Sequence, residues 1–334
     1  MRCTSIVVAL CATACFKPTP TEGAACNAAG ECPDGLACIA GLCIVPDGAD
    51  AAVDAPNDAG PMCASHPALG AFGTPVLVME LSTTVADGTP SFTADRLLIV
   101  FKSDRPGGQG NQDIWQATRT STSAPWSAPI DLGIVNTAAV ELGAEISPDG
   151  LTLYFSSDRP GTSGDLDFYV AKRPTRTSPF GAPTRIAELS SPALDEGIFV
   201  SADGRVAYFH SKRLDPAGEA VLFRASRAST SDAWSAPEPV TELVSGTGDE
   251  NPWVTADDCV LYFQSGRTLG AGFADMWRAT RPAPGKPFGT PVNLGAVNSN
   301  AYDADPQLSA DERFLMFVSN RPGVGYFDIY ESSR

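Results

Sequence analysis

A chain of 334 residues, 43% of them hydrophobic, is long enough for at least one domain with a substantial core. Its 23 Lys+Arg against 39 Asp+Glu give a formal net charge of −16, which repels nucleic acid and anionic lipid headgroups, so neither is expected as a direct partner. Gly (31) and Pro (28) suit a turn-rich β protein and are too few for a wholly disordered one.

The N-terminal stretch MRCTSIVVALCATACFKPTP has an early arginine, an apolar run from Cys3 to about Ala14, and then a polar Pro/Thr segment. That is the layout of an export signal, and the run is too short to span a bilayer. The stretch resembles a bacterial lipoprotein signal, in which small residues precede a cysteine that is lipidated. Ala12-Thr13-Ala14-Cys15 fits that pattern, with Ala12 where the family usually has Leu; Cys11 after Leu10 is the alternative. Processing at Cys15 leaves an even number of cysteines for disulfides, which favours it over Cys11. The resemblance implies residues 1–14 as signal, Cys15 as the lipidation site and 15–25 as a short tether. Phe16 stands where an aspartate would imply inner-membrane retention. The expected location is therefore the outer membrane or cell surface, with the lipid as the only membrane contact. A plain signal peptide, giving a periplasmic or secreted protein, is the alternative.

Residues 26–43, CNAAGECPDGLACIAGLC, space Cys26, Cys32, Cys38 and Cys43 as C-x5-C-x5-C-x4-C. Zinc sites favour closer pairs, and the only nearby histidine is His66, so two disulfides are expected; spacing does not fix their connectivity, and first to third with second to fourth is the arrangement that crosses the loops most compactly. The segment 44–62 is acidic, without bases or aromatics, and reads as a disordered spacer. Cys63 and Cys259 are then the remaining pair, and a long-range disulfide between them is expected.

From residue 63 to 334 the chain repeats. FGTP at 72, WSAP at 126, FGAP at 180, WSAP at 234 and FGTP at 288 recur every 54 residues. The same step relates Phe101, Phe155, Phe209, Phe263 and Phe317, and Arg105, Arg159, Arg213, Arg267 and Arg321. Each unit reads as four short strands; in the second copy these are AEISP (144–148), LTLYFSS (151–157), DFYVAKR (167–173) and FGAPTRIAEL (180–189). Apolar residues on both faces of the second strand require cover on both sides. A four-stranded unit at this period is a propeller blade. The last copy lacks a fourth strand, while FGTPVLVMEL (72–81) is a fourth strand without the other three. Joining them completes a five-bladed, all-β propeller closed by its N-terminal strand.

SPDGLTLYFSSDRPGTSGDLDFYVA resembles the TolB-type propeller repeat, with its S-P-D-G turn, aromatic strand, S-D-R-P-G loop and D-hydrophobic-aromatic entry. The resemblance covers residues 72 to 334. It implies a protein-docking role, although TolB itself has six blades and the repeat serves many functions.

The loop after the second strand keeps its Arg in all five copies and a closing Asp in four, with Val221 in the third. Metal or phosphate binding would need ligands in constant number. The expected pairs are structural: Arg105–Asp113, Arg159–Asp167, Arg267–Asp275 and Arg321–Asp328 across the hairpin. The PDG aspartates (Asp95, Asp149, Asp203, Asp257, Asp311) read as turn residues. Trp115, Tyr169, Phe223, Trp277 and Tyr330 read as packing between blades.

Candidate ligand-binding groups are the acids immediately before each first strand, Asp87, Glu141, Asp195, Asp249 and Asp303, expected at one mouth of the channel with Glu145, Glu196, Glu250 and Asp305 nearby. Two histidines, His66 and His210, leave no basis for a catalytic triad or histidine-rich metal centre, and no cofactor is expected. The function expected is a non-catalytic envelope lipoprotein whose propeller binds proteins. A lectin-like glycan-binding propeller is the alternative, and a glycosidase using channel carboxylates a second.

Overall fold

The structure, a computed structural model, describes residues 37–39, 42–44, 62–63 and 69–334. The chain divides into two units, Met1–Asp58 and Ala59–Arg334. In the first, Ala37–Ile39 and Leu42–Ile44 form an antiparallel hairpin with Cys38 opposite Cys43. The expected lipidation at Cys15 and pairing of Cys26, Cys32, Cys38 and Cys43 lie outside the described residues or side chains. Among the described residues no helix is long and apolar enough to cross a membrane.

The second unit contains five four-stranded antiparallel sheets, the five blades expected. Blade 1 comprises Asp87–Phe92, Leu98–Ser103, Asp113–Thr118 and Ile130–Asp131. Blades 2 to 4 repeat it, and blade 5 takes Asp303–Leu308, Phe314–Ser319 and Asp328–Ser333 from the C-terminal end. Its fourth strand is Val76–Leu77, with Leu77 opposite Tyr330 and Val76 opposite Glu331.

The second strands form the core because both their faces are covered. Phe101, Phe155, Phe209, Phe263 and Phe317 are fully buried, and Tyr154, on the opposite face from Phe155, is buried too. The third-strand aromatics lie beside them: Phe155 with Tyr169 at 5.8 Å, Phe317 with Tyr330 at 5.9 Å. Stacked rings at this separation add to area burial.

Closure reproduces across the ends what the other blades do internally. In blade 1 the guanidinium of Arg119 lies 4.1 Å from the centroid of Trp126, the aromatic that leads into the fourth strand. In blade 5 Arg334 lies 4.1 Å from Phe72. The Gly73 amide donates to the Ser333 carbonyl at 2.9 Å, as the Ser127 amide does to Thr118.

Two details differ from the sequence reading. The first strand of blade 2 is Glu141–Ile146, three residues upstream of the start expected from its apolar pattern. A bulge between Leu142 and Glu145 breaks the alternation, and Gly143 sits there at φ 61°, where a residue without Cβ is unstrained. The fourth strands shrink to two residues each, because their proline-containing approaches cannot donate a full ladder.

The expected long-range disulfide is present. Cys63 and Cys259 are bonded with Cα atoms 5.7 Å apart, across a sequence separation of 196. The Cys63 amide donates to the Pro282 carbonyl at 2.9 Å, which lays this segment against blade 4.

Candidate functional site

The five acids expected at the channel mouth open the first strands rather than precede them, and their side chains are buried. Each meets the loop arginine of its own blade. Arg105 Nη2 lies 2.7 Å from Asp87 Oδ1, Arg159 3.1 Å from Glu141, Arg213 2.6 Å from Asp195 and Arg267 2.5 Å from Asp249; Arg321 pairs with Asp303 in the same way. The remaining lone pairs are also used. Asp87 Oδ2 accepts from the amide and hydroxyl of Thr83, and Oδ1 from the Ser103 hydroxyl. The same Arg105 nitrogen donates to the Leu81 carbonyl at 2.7 Å, and its guanidinium lies 4.8 Å from the Phe101 ring.

This corrects two expectations. The periodic acids are not presented to a ligand, and the arginines do not pair with the closing aspartates. Register explains the second point. Asp87 stands opposite Ser103, so Arg105 two residues on reaches back over the first strand. The closing aspartates instead tie loop backbone. Asp113 accepts from the Gln109 and Gly110 amides, Asp167 from Ser163, Asp275 from Ala271, and Asp328 from Val324 and Gly325. Asp167 takes its cation from the fourth strand, with Arg185 at 2.5 Å. The loop is still a turn, and the PDG aspartates do the turn work expected of them: Asp149 Oδ1 accepts from the Ser147 hydroxyl and the Leu151 amide.

Breaking one of these ion pairs leaves a buried carboxylate without its cation. Arg105→Ala is expected to destabilise the propeller by about 3–5 kcal/mol, measured by urea unfolding. A loss under about 1 kcal/mol, the range of an exposed pair, would show that the pair is not structural.

The channel wall is made by the bulges. Thr89, Gly143, Gly197, Asn251 and Asp305, one per blade at the repeat spacing, all have positive φ, from 44° to 63°. At Thr89 this is a strained conformation for a β-branched residue. Asp305 joins three blades: Oδ2 accepts from the Thr89 amide at 3.0 Å, and Oδ1 accepts from the Asn251 side-chain amide. Burial, then the nearby Glu196 and Glu250, push its carboxyl up to about 6 against the Thr89 hydrogen bond. At Gly197 a Cβ would come within 2.2 Å of Asn251 Oδ1 and 2.6 Å of His210 Nδ1, so any larger residue there would displace those two side chains.

At the end of the channel where the first strands begin lies a polar cavity of 350 Å³. Its chemistry comes from Glu196, Glu250, Asp305, His210, Lys102 and Lys212. His210 is buried, accepts the Asn251 amide on Nδ1 at 3.2 Å, and turns Nε2 toward Glu196 at 3.8 Å. Burial disfavours its charged form, but the nearby carboxylates of Glu196, Glu250 and Asp305 outweigh that and raise its pKa. Gln264 donates to Glu250 at 2.7 Å and to the Tyr302 hydroxyl at 2.9 Å. Of the acids named as neighbours of the periodic ring, Glu196, Glu250 and Asp305 are therefore at this mouth, and Glu145 is at the other. His210, Lys102, Lys212 and Tyr302 were not legible as site residues, because the other copies carry different side chains at those positions. Among the described residues no group of three or more His, Cys, Asp or Glu is placed to hold a metal ion.

The sequence matches no family model and no curated protein. Solved structures do resemble it. TolB from Agrobacterium tumefaciens is 17% identical over 75% of this chain and 79% of its own, with a TM-score of 0.46. TolB from Acinetobacter baumannii is 15% identical over 76% of this chain and 56% of its own, with a TM-score of 0.47. A GH62 hydrolase in complex with xylotriose is 10% identical over 75% of this chain and 92% of its own, with a TM-score of 0.50. Neighbours of such different occupation at such low identity share the propeller fold, and only the fold is carried over.

Proposed function

We propose that this protein is a non-catalytic, exported binding propeller, held at the envelope through Cys15, which docks a partner protein at the polar mouth of its channel. One observation carries the reading: each of the five acids that open the first strands, Asp87, Glu141, Asp195, Asp249 and Asp303, is locked in a buried ion pair, and Asp305 is engaged on both oxygens. The mouth is thus equipped to hold a ligand, with Glu196 and Glu250 beside Lys102 and Lys212, but its most perturbed acid is not free to shuttle a proton. A rim carrying both signs of charge favours specificity in docking a protein surface.

A second reading is glycoside hydrolysis. It is favoured by unlike carboxylates around one cavity, including one that titrates at about 6. Three measurements on the purified full chain separate the readings: turnover of plant and microbial polysaccharides, retention on a glycan array, and photo-crosslinking from position 212 in the intact envelope. The expected result is no turnover, no retention, and one discrete cross-linked protein that is lost when Glu196 and Glu250 are both changed to Lys. Turnover would establish the enzyme, and glycan retention the lectin; either would overturn the docking reading.

A further inference from the structure

The opposite mouth of the channel, bordered by the PDG turns, is a separate cavity of 260 Å³ that plays no part in the docking proposed above. Ser91, Glu145, Phe199, Trp253 and Gln307 stand one per blade at the repeat spacing; Glu145, Phe199, Trp253 and Gln307 line the cavity, and Ser91 is buried behind them. The ring is divided by chemistry. On one side the Ser91 hydroxyl donates to Glu145 Oε2 at 2.8 Å, and Gln307 Nε2 donates to Ser91 Oγ at 3.0 Å and reaches Glu145 Oε2 at 3.4 Å. On the other side stand Phe199 and Trp253, edge to face with centroids 6.0 Å apart, and Phe92 extends the aromatic lining.

Glu145 is the only ionisable member of this ring. No cation among the described residues forms an ion pair with it. Burial pushes its carboxyl up to about 8 in spite of the hydrogen bonds from Ser91 and Gln307. The groups facing it offer no compensating charge. Tyr154, opposite it on the second strand of its own blade, is neutral: burial raises its pKa against the nearby charge of Arg227, whose Nε donates to the Gly204 carbonyl. Ser91 and Gln307 from the adjoining first strands do not titrate, nor do Phe199 and Trp253 across the cavity.

A carboxyl that forms no ion pair among the described residues and lines one cavity with aromatic rings is suited to positive charge from both sides, through Coulomb attraction and through the ring quadrupoles. A neutral ligand would leave the burial of the carboxylate uncompensated. We propose that this mouth binds a small organic ammonium ion, its alkylated head against Phe199 and Trp253 and Glu145 as its counter-ion. Binding ionises Glu145, and its proton passes to solvent as the cation enters.

The test is calorimetric titration of the full chain with choline chloride. Between about pH 6 and 8 the affinity should rise by roughly 50-fold, following the ionised fraction of a carboxyl that titrates near 8. The heat should vary with buffer ionisation enthalpy, reporting proton release. Dimethylbutanol, the uncharged carbon isostere of choline, should not bind. Glu145→Gln, which keeps the size and the hydrogen bonds, should melt like the parent yet lose at least about 10-fold in affinity at the higher pH, together with the pH dependence. The Glu196→Gln/Glu250→Gln pair at the polar mouth should leave choline binding intact. Equal binding of the alcohol, loss of binding in that pair, or no saturation by about 10 mM choline would each overturn the proposal. None of these outcomes bears on whether the polar mouth docks a protein.

Discussion

Deleting residues 72–81 is expected to abolish cooperative folding of the propeller. The segment buries Phe72, Val78 and Leu81; Val76 is 60% exposed and contributes through its backbone ladder with Glu331. At roughly 1.5–3 kcal/mol for each buried side chain, the three together are worth about 5–9 kcal/mol. That rivals the entire stability of an ordinary domain, about 5–15 kcal/mol. Further contacts go with them: Arg334 loses the Phe72 ring, and Arg105 of blade 1 loses the Leu81 carbonyl. The truncated protein should be insoluble, or soluble with far-UV signal but no cooperative transition. A sharp melt within a few degrees of the parent would show that the ring does not need its closing strand.

The disulfide gives the second large effect. Cross-linking residues separated by 196 positions removes chain entropy from the unfolded state, worth roughly 5 kcal/mol in the loop-closure account. Cys63→Ala isolates that contribution, since Cys259 keeps its buried place in blade 4 and no cavity opens there. Urea denaturation of the variant should move to a clearly lower midpoint with a similar slope. Its Cys259 should react with maleimide only after unfolding, whereas the parent should not react at all. An unchanged midpoint would mean that the bond contributes no stability.

Repetition made the fold legible. Five copies of Phe101 or Arg105 at one spacing fix which residues play the same role, so blade count, closing strand and turn chemistry could be read without coordinates. The partners of those residues were harder, because pairing depends on register. Arg105 and Asp113 flank one loop, and a bond across it was the natural inference. The serine opposite Asp87 decides otherwise, placing Arg105 over the strand before it. The bulge at Gly143 hid the strand start for a related reason, since it reverses the alternation by which strands are recognised. The candidate binding groups were obscured for the opposite reason. His210 and Tyr302 are individual departures from the repeat, and a pattern that identifies scaffold by recurrence passes over what occurs once; Glu145 was named among the channel acids, but its place at the opposite mouth was not legible.

The shared fifth blade also sets an order of events during synthesis. Ser332 hydrogen-bonds to Gly73 across 259 residues, whereas each of the other four blades is contiguous in the chain. On a chain emerging from its N-terminal side, residues 72–81 appear before any blade exists and stay an unpaired apolar strand until Asp328–Ser333 follows. In the interval four rival acceptors form, and each third strand ends as blade 5 does, ready for a segment beginning FGTP, WSAP or FGAP. Early capture by one of them would miscount the ring, leaving an unclosed sheet edge exposed to other chains. The kinetic hazard of this propeller is therefore strand exchange among near-identical siblings, and it grows with every blade completed before the last.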